Sequence, residues 1–246
     1  VVNKVGASGV IGSAQVQAAA PDGYTMLLAR PGSQSILPAV MPTRTKYKWN
    51  DFTPVGLLEL NTYGCMVKAS SYKNFGELVD AIKKNGKKLN FGTAGSLTAN
   101  DMGPRQLFKL LGLGPDNTPT QIPFKGTGEA TTSLLAGDTQ FACGSVGPSM
   151  GMINSGQLRA VMVTTPERMP ALPDVPTARE LGYPDMEKIT GWSGIYGPPG
   201  LPADIVQQLS PAMQAVAKDA SWIKATEMTA SVPDIKGPAE THRFAK

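Results

Sequence analysis

The sequence has one histidine and two cysteines in 246 residues, 17% charged residues and 7% aromatic ones. Each shortage excludes something. The only imidazole is His242, so a Ser-His-Asp or Cys-His relay, or a multi-histidine metal site, would have to be built around a residue next to the end of the chain. No stretch approaches the roughly 20 consecutive apolar residues of a membrane-spanning helix. The net charge of +4 is spread, with 5 basic against 3 acidic residues in 1–66, 13 against 11 in 67–191, and 5 against 5 in 192–246. That distribution is no nucleic-acid footprint despite the basic pI. Cys65 and Cys143 lie in apolar, strand-like runs without metal-ligand spacing and read as buried free thiols. A disulfide would need their Cα atoms within about 7 Å, which spacing alone does not establish.

Glycine and proline are abundant, at 27 and 21 residues, and they punctuate an alternation of strands and helices. Residues 24–29, 54–60, 64–68, 89–92, 120–124, 139–143 and 158–164 are short apolar runs bounded by turn residues, the pattern of strands. Helices fall between several of them. In 74–85, Asn74 and Glu77 form an N-cap and capping-box pair, while Phe75, Leu78, Val79 and Ile82 share a face. Residues 128–136 stop at Gly137, and 203–218 carry an apolar face that Pro211 should kink or divide. The fold class expected is α/β with largely parallel sheets.

Three strand-to-helix turns stand out. Gly6-Ala7-Ser8-Gly9-Val10-Ile11-Gly12 precedes a good helix former, and Gly92-Thr93-Ala94-Gly95-Ser96-Leu97-Thr98 repeats the arrangement. Phe124-Lys125-Gly126-Thr127-Gly128-Glu129 is the third. A glycine turn at a helix start presents backbone N–H groups and partial positive charge to an anion, and ligands of open α/β sheets collect at the carboxyl ends of strands. The plainer alternative for each is a tight connection, with Lys125 a solvated lysine. Ser96 or Thr98 is expected to cap the following helix. Neither a dinucleotide-binding G-x-G-x-x-G nor a Walker loop is present. Asp101, Glu129 and Asp138 form no nucleophile–base pair, and the methionines Met150, Met152 and Met162 read as core filler.

Longer stretches carry a resemblance. Asn3–Gly12, Ala20-Pro21-Asp22-Gly23-Tyr24-Thr25, Asp51–Val55, Asn90–Gly95, Pro123–Gly126 and Leu134–Asp138 occur in order, followed by Arg168–Thr177 and Gly194–Pro202. Together they resemble the solute receptors of tripartite tricarboxylate transporters, the Bug or TctC family of periplasmic binding proteins. The resemblance implies a type II periplasmic-binding-protein fold: two α/β lobes joined by two crossings, with a ligand in the interlobe cleft. Residues 1–66 and 192–246 would form lobe 1, and 67–191 lobe 2. It implies a small carboxylate held by amides, hydroxyls and water, with Ala7, Ser8 and Ser33 contributed by one lobe. The other would contribute Thr93, Ala94, Gly95, Ser96, Thr98, Phe124, Lys125, Gly126, Thr127, Gly144 and Ser145.

The resemblance also implies a monomer in the periplasm that serves membrane transporter components, with no catalysis, cofactor, metal or nucleic acid. A ligand-sensing module or, less favoured, an enzyme in the same cleft are the alternatives. Departures from the family pattern matter. Its opening strand with a Pro-Gly-Gly loop is expected upstream of Val1, its C-terminal helix is cut short after Phe244, and its usual histidine is absent from 96–104. Gly144-Ser145 replaces an acidic residue, which argues against an amino-acid ligand. The room at Gly144 favours a bulkier acid, a dicarboxylate or an aromatic carboxylate such as terephthalate.

Overall fold

In the computed structural model, which describes residues 1–245, the chain divides into two units. The first comprises Val1–Leu60, Gly191–Glu227 and the chain from Ser231 onward; the second comprises Asn61–Thr190 and Met228–Ala230. The second unit begins at Asn61, where lobe 2 was expected to start at residue 67. The cause lies in strand pairing, since residues 63–68 form a strand bonded on both sides to strands of the second unit.

The first unit contains helix α1 (Val10–Gln17), strand β1 (Leu27–Ala29), the short helices α2 (Leu37–Val40) and α3 (Pro42–Thr45), and strand β2 (Thr53–Asn61), whose last residue belongs to the second unit. The second unit runs β3 (Tyr63–Lys68), α4 (Phe75–Asn85), β4 (Asn90–Thr93), α5 (Ala99–Leu110), β5 (Thr120–Pro123), α6 (Thr127–Ala136), β6 (Phe141–Ser145), α7 (Met150–Asn154) and β7 (Leu158–Val163). The chain then returns for β8 (Gly191–Gly197), α8 (Ala203–Val216), α9 (Ala220–Met228), β9 (Ser231–Lys236) and α10 (Pro238–Ala245).

The sheet of the second unit has the order β5-β4-β6-β3-β7. Strands β5, β4 and β6 are parallel, but β3 is antiparallel to both of its neighbours, so the sheet is mixed rather than largely parallel. Only Thr62 separates β2, in the sheet of the first unit, from β3 in the second. Strands buried on both faces read as continuous apolar runs, and alternation then sorts them. On β3, Tyr63, Cys65 and Val67 join a core with Phe75, Leu78 and Ile82 of α4, while Met66 joins a second core with Leu134, Met150 and Leu172. Met162 is buried in the first core, and Met152 packs against the second. Phe91, Phe108 and Phe141 meet with centroids 5.5, 5.7 and 6.3 Å apart, within the range of favourable aromatic pairs.

Cys65 and Cys143 face each other across β3 and β6 and form a disulfide, with Cα atoms 4.0 Å apart. The reading as free thiols is therefore corrected. What joins the sulfurs is the strand register, a property that the spacing of 78 residues does not reveal.

The first unit carries the order β1-β8-β2-β9, with β1 antiparallel to β8. Its core gathers Val16, Tyr47, Phe52, Leu57, Trp192 and Tyr196. Helix α8 continues through Pro211, so of the two expected outcomes, a kink or a division, the division does not occur, and none of its residues is buried. At α4 the expected cap is present: Asn74 Oδ1 accepts from the Glu77 N–H at 3.0 Å. Glu77 reaches back one residue further than a standard capping box, to the Lys73 N–H at 2.8 Å.

Candidate functional site

In the first unit, the turn before α1 runs through four consecutive residues of positive φ: Gly6 (120°), Ala7 (46°), Ser8 (53°) and Gly9 (93°). Left-handed backbone costs a non-glycine residue about 1–2 kcal/mol, and such residues concentrate at ligand clamps and other functional positions. Beside this turn lies a π-helical turn, Gly32–Ile36, which follows β1 and escaped the sequence reading. The two are in close contact, since a Cβ on Gly9 would lie 3.0 Å from Ser33 Cβ. Ser33 is buried, and its carbonyl accepts the Tyr47 hydroxyl at 2.7 Å. Ala7 is exposed and Ser8 half-buried.

In the second unit, the carboxyl ends of β4, β5 and β6 lie side by side, as the parallel pairing dictates. The turn from β4 to α5 has two left-handed residues, Gly95 (φ 106°) and Leu97 (φ 58°). Its expected cap is absent. Thr98 occupies the N-cap position without a side-chain cap, because its hydroxyl donates to the Gly95 carbonyl at 2.9 Å. The side chains brace the turn instead. Asp101, fully buried in the first turn of α5, accepts the Leu97 N–H at 2.8 Å and Arg105 Nε at 2.7 Å. Arg105 Nη2 donates to Gln121 Oε1 at 3.1 Å, and Gln121 Nε2 faces Thr93 Oγ1 at 3.0 Å and Ser96 Oγ at 3.3 Å. Thr93 is itself fully buried, so it supports the turn from beneath, while Ser96 is exposed and Ala94, Gly95 and Thr98 are half-buried.

The third turn is tied to the second through the Phe124 N–H, which donates to the Thr93 carbonyl at 2.8 Å. Phe124, Gly126 and Thr127 are half-buried. Lys125 is exposed, and its backbone N–H donates to Glu129 at 3.1 Å, an arrangement that closes the start of α6. Ser145 is half-buried at the end of β6.

At Gly144 the structure corrects the sequence reading. The space left by the missing Cβ is not vacant: a Cβ there would lie 2.3 Å from Asn100 Nδ2. Gly144 thus admits the Asn100 carboxamide, a half-buried donor and acceptor at the start of α5, rather than leaving room for a bulky ligand. A second close approach seats the same helix. Gly103 lies against Tyr63, whose hydroxyl would be 1.9 Å from a Cβ there and donates to the Cys143 carbonyl at 2.9 Å. A glycine inside a helix costs about 1 kcal/mol relative to alanine, and this contact is its structural reason.

Other candidates fall away from these turns. His242 stacks on Trp49 at 4.9 Å and lines a groove of about 600 Å³ in the first unit with Thr53, Leu201, Val206 and Pro238, none of them a sequence-predicted site residue. Among the described residues, no three His, Cys, Asp or Glu side chains gather as a metal-binding group. No helix among them is long and apolar enough to cross a membrane.

Sequence reading named Thr93, Ser96 and Thr98 but missed Arg105 and Gln121, which brace this turn, and Asn100, which fills the space at Gly144. Gln121 was legible only as a polar residue in the short edge strand β5, and Asn100 only as a residue within the departure at 96–104.

Known proteins resemble this chain in sequence and in fold. A UPF0065 protein from the TAR-I ttuE-ttuC' intergenic region of Agrobacterium vitis is 34% identical over 258 residues, a match covering 100% of this chain and 73% of that protein. The structure of the periplasmic binding protein BugD superposes with a TM-score of 0.89 at 29% identity, covering 99% of this chain and 81% of BugD. MatC from Rhodopseudomonas palustris, solved with bound malate, superposes with a TM-score of 0.88 at 26% identity, covering 98% and 81%. The profile of the tripartite tricarboxylate transporter family receptor, TctC, matches residues 1–235, and with these likenesses of sequence and fold the chain belongs to that family of solute receptors.

Proposed function

We propose that this chain captures a small aliphatic dicarboxylate outside the cytoplasm and delivers it to the membrane components of a tripartite tricarboxylate-type transporter. The observation that carries this reading is the turn at 94–98, whose residues are half-buried except for the exposed Ser96 and which leads into an α5 N-terminus left uncapped by the Thr98 side chain. The first four N–H groups of a helix lack intrahelical partners and favour an anion. Amide and hydroxyl donors hold a carboxylate without a buried counter-charge, and they strengthen as water is excluded. The malate bound by MatC supports a four-carbon diacid. With Asn100 filling the space at Gly144, the argument for an aromatic acid such as terephthalate loses its basis.

A thermal-shift and calorimetric screen of mono-, di- and tricarboxylates, with terephthalate and aspartate included, tests the reading. Malate or succinate is expected to raise the stability by about 2.7 kcal/mol at a hundredfold excess over Kd. Tight aspartate binding with none for the diacids would overturn it.

A further inference from the structure

We infer that the lysines at the end of α4 form a docking surface for an anionic lipid bilayer, separate from the candidate ligand site and independent of which ligand is bound. Lys83, Lys84, Lys87 and Lys88 are four lysines in six positions, and all four are exposed. None forms an ion pair among the described residues, although Asp80 and Asp116, both exposed, lie on adjoining segments. The dipole of α4 accounts for Lys83 and Lys84 in its last turn. Lys87 and Lys88 lie beyond it, in the tight turn Gly86–Lys88 that leads to β4.

That turn is firmly seated. A Cβ on Gly86 would lie 1.9 Å from the Asn117 carbonyl oxygen, so the turn rests directly on the neighbouring turn Pro115–Asn117. Asn117 Nδ2 donates to the Lys83 carbonyl at 3.3 Å, and the Leu89 N–H donates to the Gly86 carbonyl at 2.9 Å. The backbone that carries the charges is therefore fixed in advance, which lowers the ordering cost of binding. The cluster stands at the amino end of β4, whereas the 94–98 turn follows the carboxyl end of the same strand.

The surroundings select the partner. Between residues 61 and 190 no large hydrophobic side chain is exposed. Protein interfaces have apolar, aromatic and arginine-rich centres and are depleted in lysine. A layer of anionic headgroups instead attracts compact, hydrated ammonium groups by charge alone, at about fivefold in affinity per lysine. With no apolar side chain to insert, the attachment is ionic and reversible with salt.

The test is cosedimentation of the whole chain, without ligand, with vesicles of mixed phosphatidylglycerol and phosphatidylcholine and with vesicles of phosphatidylcholine alone. The wild type is expected to bind only the anionic vesicles. It should be released as salt rises from about 10 mM to about 1 M, which shortens the Debye length from about 30 Å to about 3 Å. Lys87→Gln/Lys88→Gln should weaken binding about thirtyfold. Lys218→Gln/Lys224→Gln removes the same charge from exposed positions of the first unit and should change binding less than about threefold. Equal losses in the two variants, equal binding to phosphatidylcholine alone, or no binding at low salt overturn the proposal. Retention on immobilised polyglutamate without binding to anionic vesicles assigns the cluster to an acidic protein partner and overturns it as well.

Discussion

The turn at Gly6–Gly9 and the turn at Ala94–Thr98 both lead into a helix through left-handed backbone that includes non-glycine residues, yet they are held differently. The first has glycine at both ends of its positive-φ run and rests against a neighbouring turn at Ser33. The second is tied by a buried carboxylate, a guanidinium and a carboxamide, on a helix seated over Tyr63. Their surroundings differ in the same direction. The second unit packs both faces of its sheet and carries a disulfide, whereas in the first unit α8 buries no residue and Ile11, Tyr24 and Leu28 stay exposed. Glycine can supply an unusual backbone conformation by itself. Side-chain bracing can fix it in one arrangement.

Removing the covalent part of that contrast should have the largest effect. A Cys65→Ala/Cys143→Ala variant loses a cross-link closing a loop of 78 residues, worth about 4 kcal/mol in chain entropy. The melting temperature should fall by about 10 °C in differential scanning calorimetry. A fall of only a degree or two would show that the packed sheet needs no tie.

The two turns should respond differently to smaller changes. Asp101→Asn weakens two hydrogen bonds to a buried charge and should cost about 2 kcal/mol in urea denaturation. In the first turn, Ala7→Gly relieves a left-handed alanine and should leave stability unchanged or raise it by up to about 1 kcal/mol. If both variants lose the same amount, the distinction between a braced and a glycine-framed turn is wrong.

The smallest effects come from two buried tyrosines. Tyr63 donates to the Cys143 carbonyl, whereas the buried Tyr196 hydroxyl has no partner. Tyr63→Phe should cost about 1 kcal/mol at neutral pH, and Tyr196→Phe less than about 0.5 kcal/mol. Burial raises both phenols, Tyr196 to about 12 and Tyr63 well above its ordinary value. Because the unfolded phenol ionises near pH 10, this stability is fully present below about pH 10 and is lost as pH rises through the folded value. For Tyr196 the window is therefore from about pH 10 to about 12. Alkaline melts of Tyr196→Phe should show a shallower decline than wild type over that window.

The strands β1 to β7 and the helix at Asn74 were legible because apolar runs and cap residues act locally. Strands β8 and β9 were not: Gly191-Trp192-Ser193-Gly194 has the composition of a turn, and Pro233 and Asp234 interrupt the other. What remained hidden at the site depended on partners distant in sequence. Cys65 meets Cys143 through register, Asn100 fills the space at Gly144, and Gln121 turns because Arg105 faces it. Capping was misjudged for a related reason, since Thr98 spends its hydroxyl on the Gly95 carbonyl. Residue type indicated the turn, and tertiary neighbours decided how its backbone and side chains are held.

The Cys65–Cys143 bond also turns α4, β4, α5, β5 and α6 into the interior of a covalent ring. A single protease cut in the connection at residues 111–119 would leave both fragments tethered. The nicked chain would migrate as one band on a non-reducing gel and separate in two on reduction.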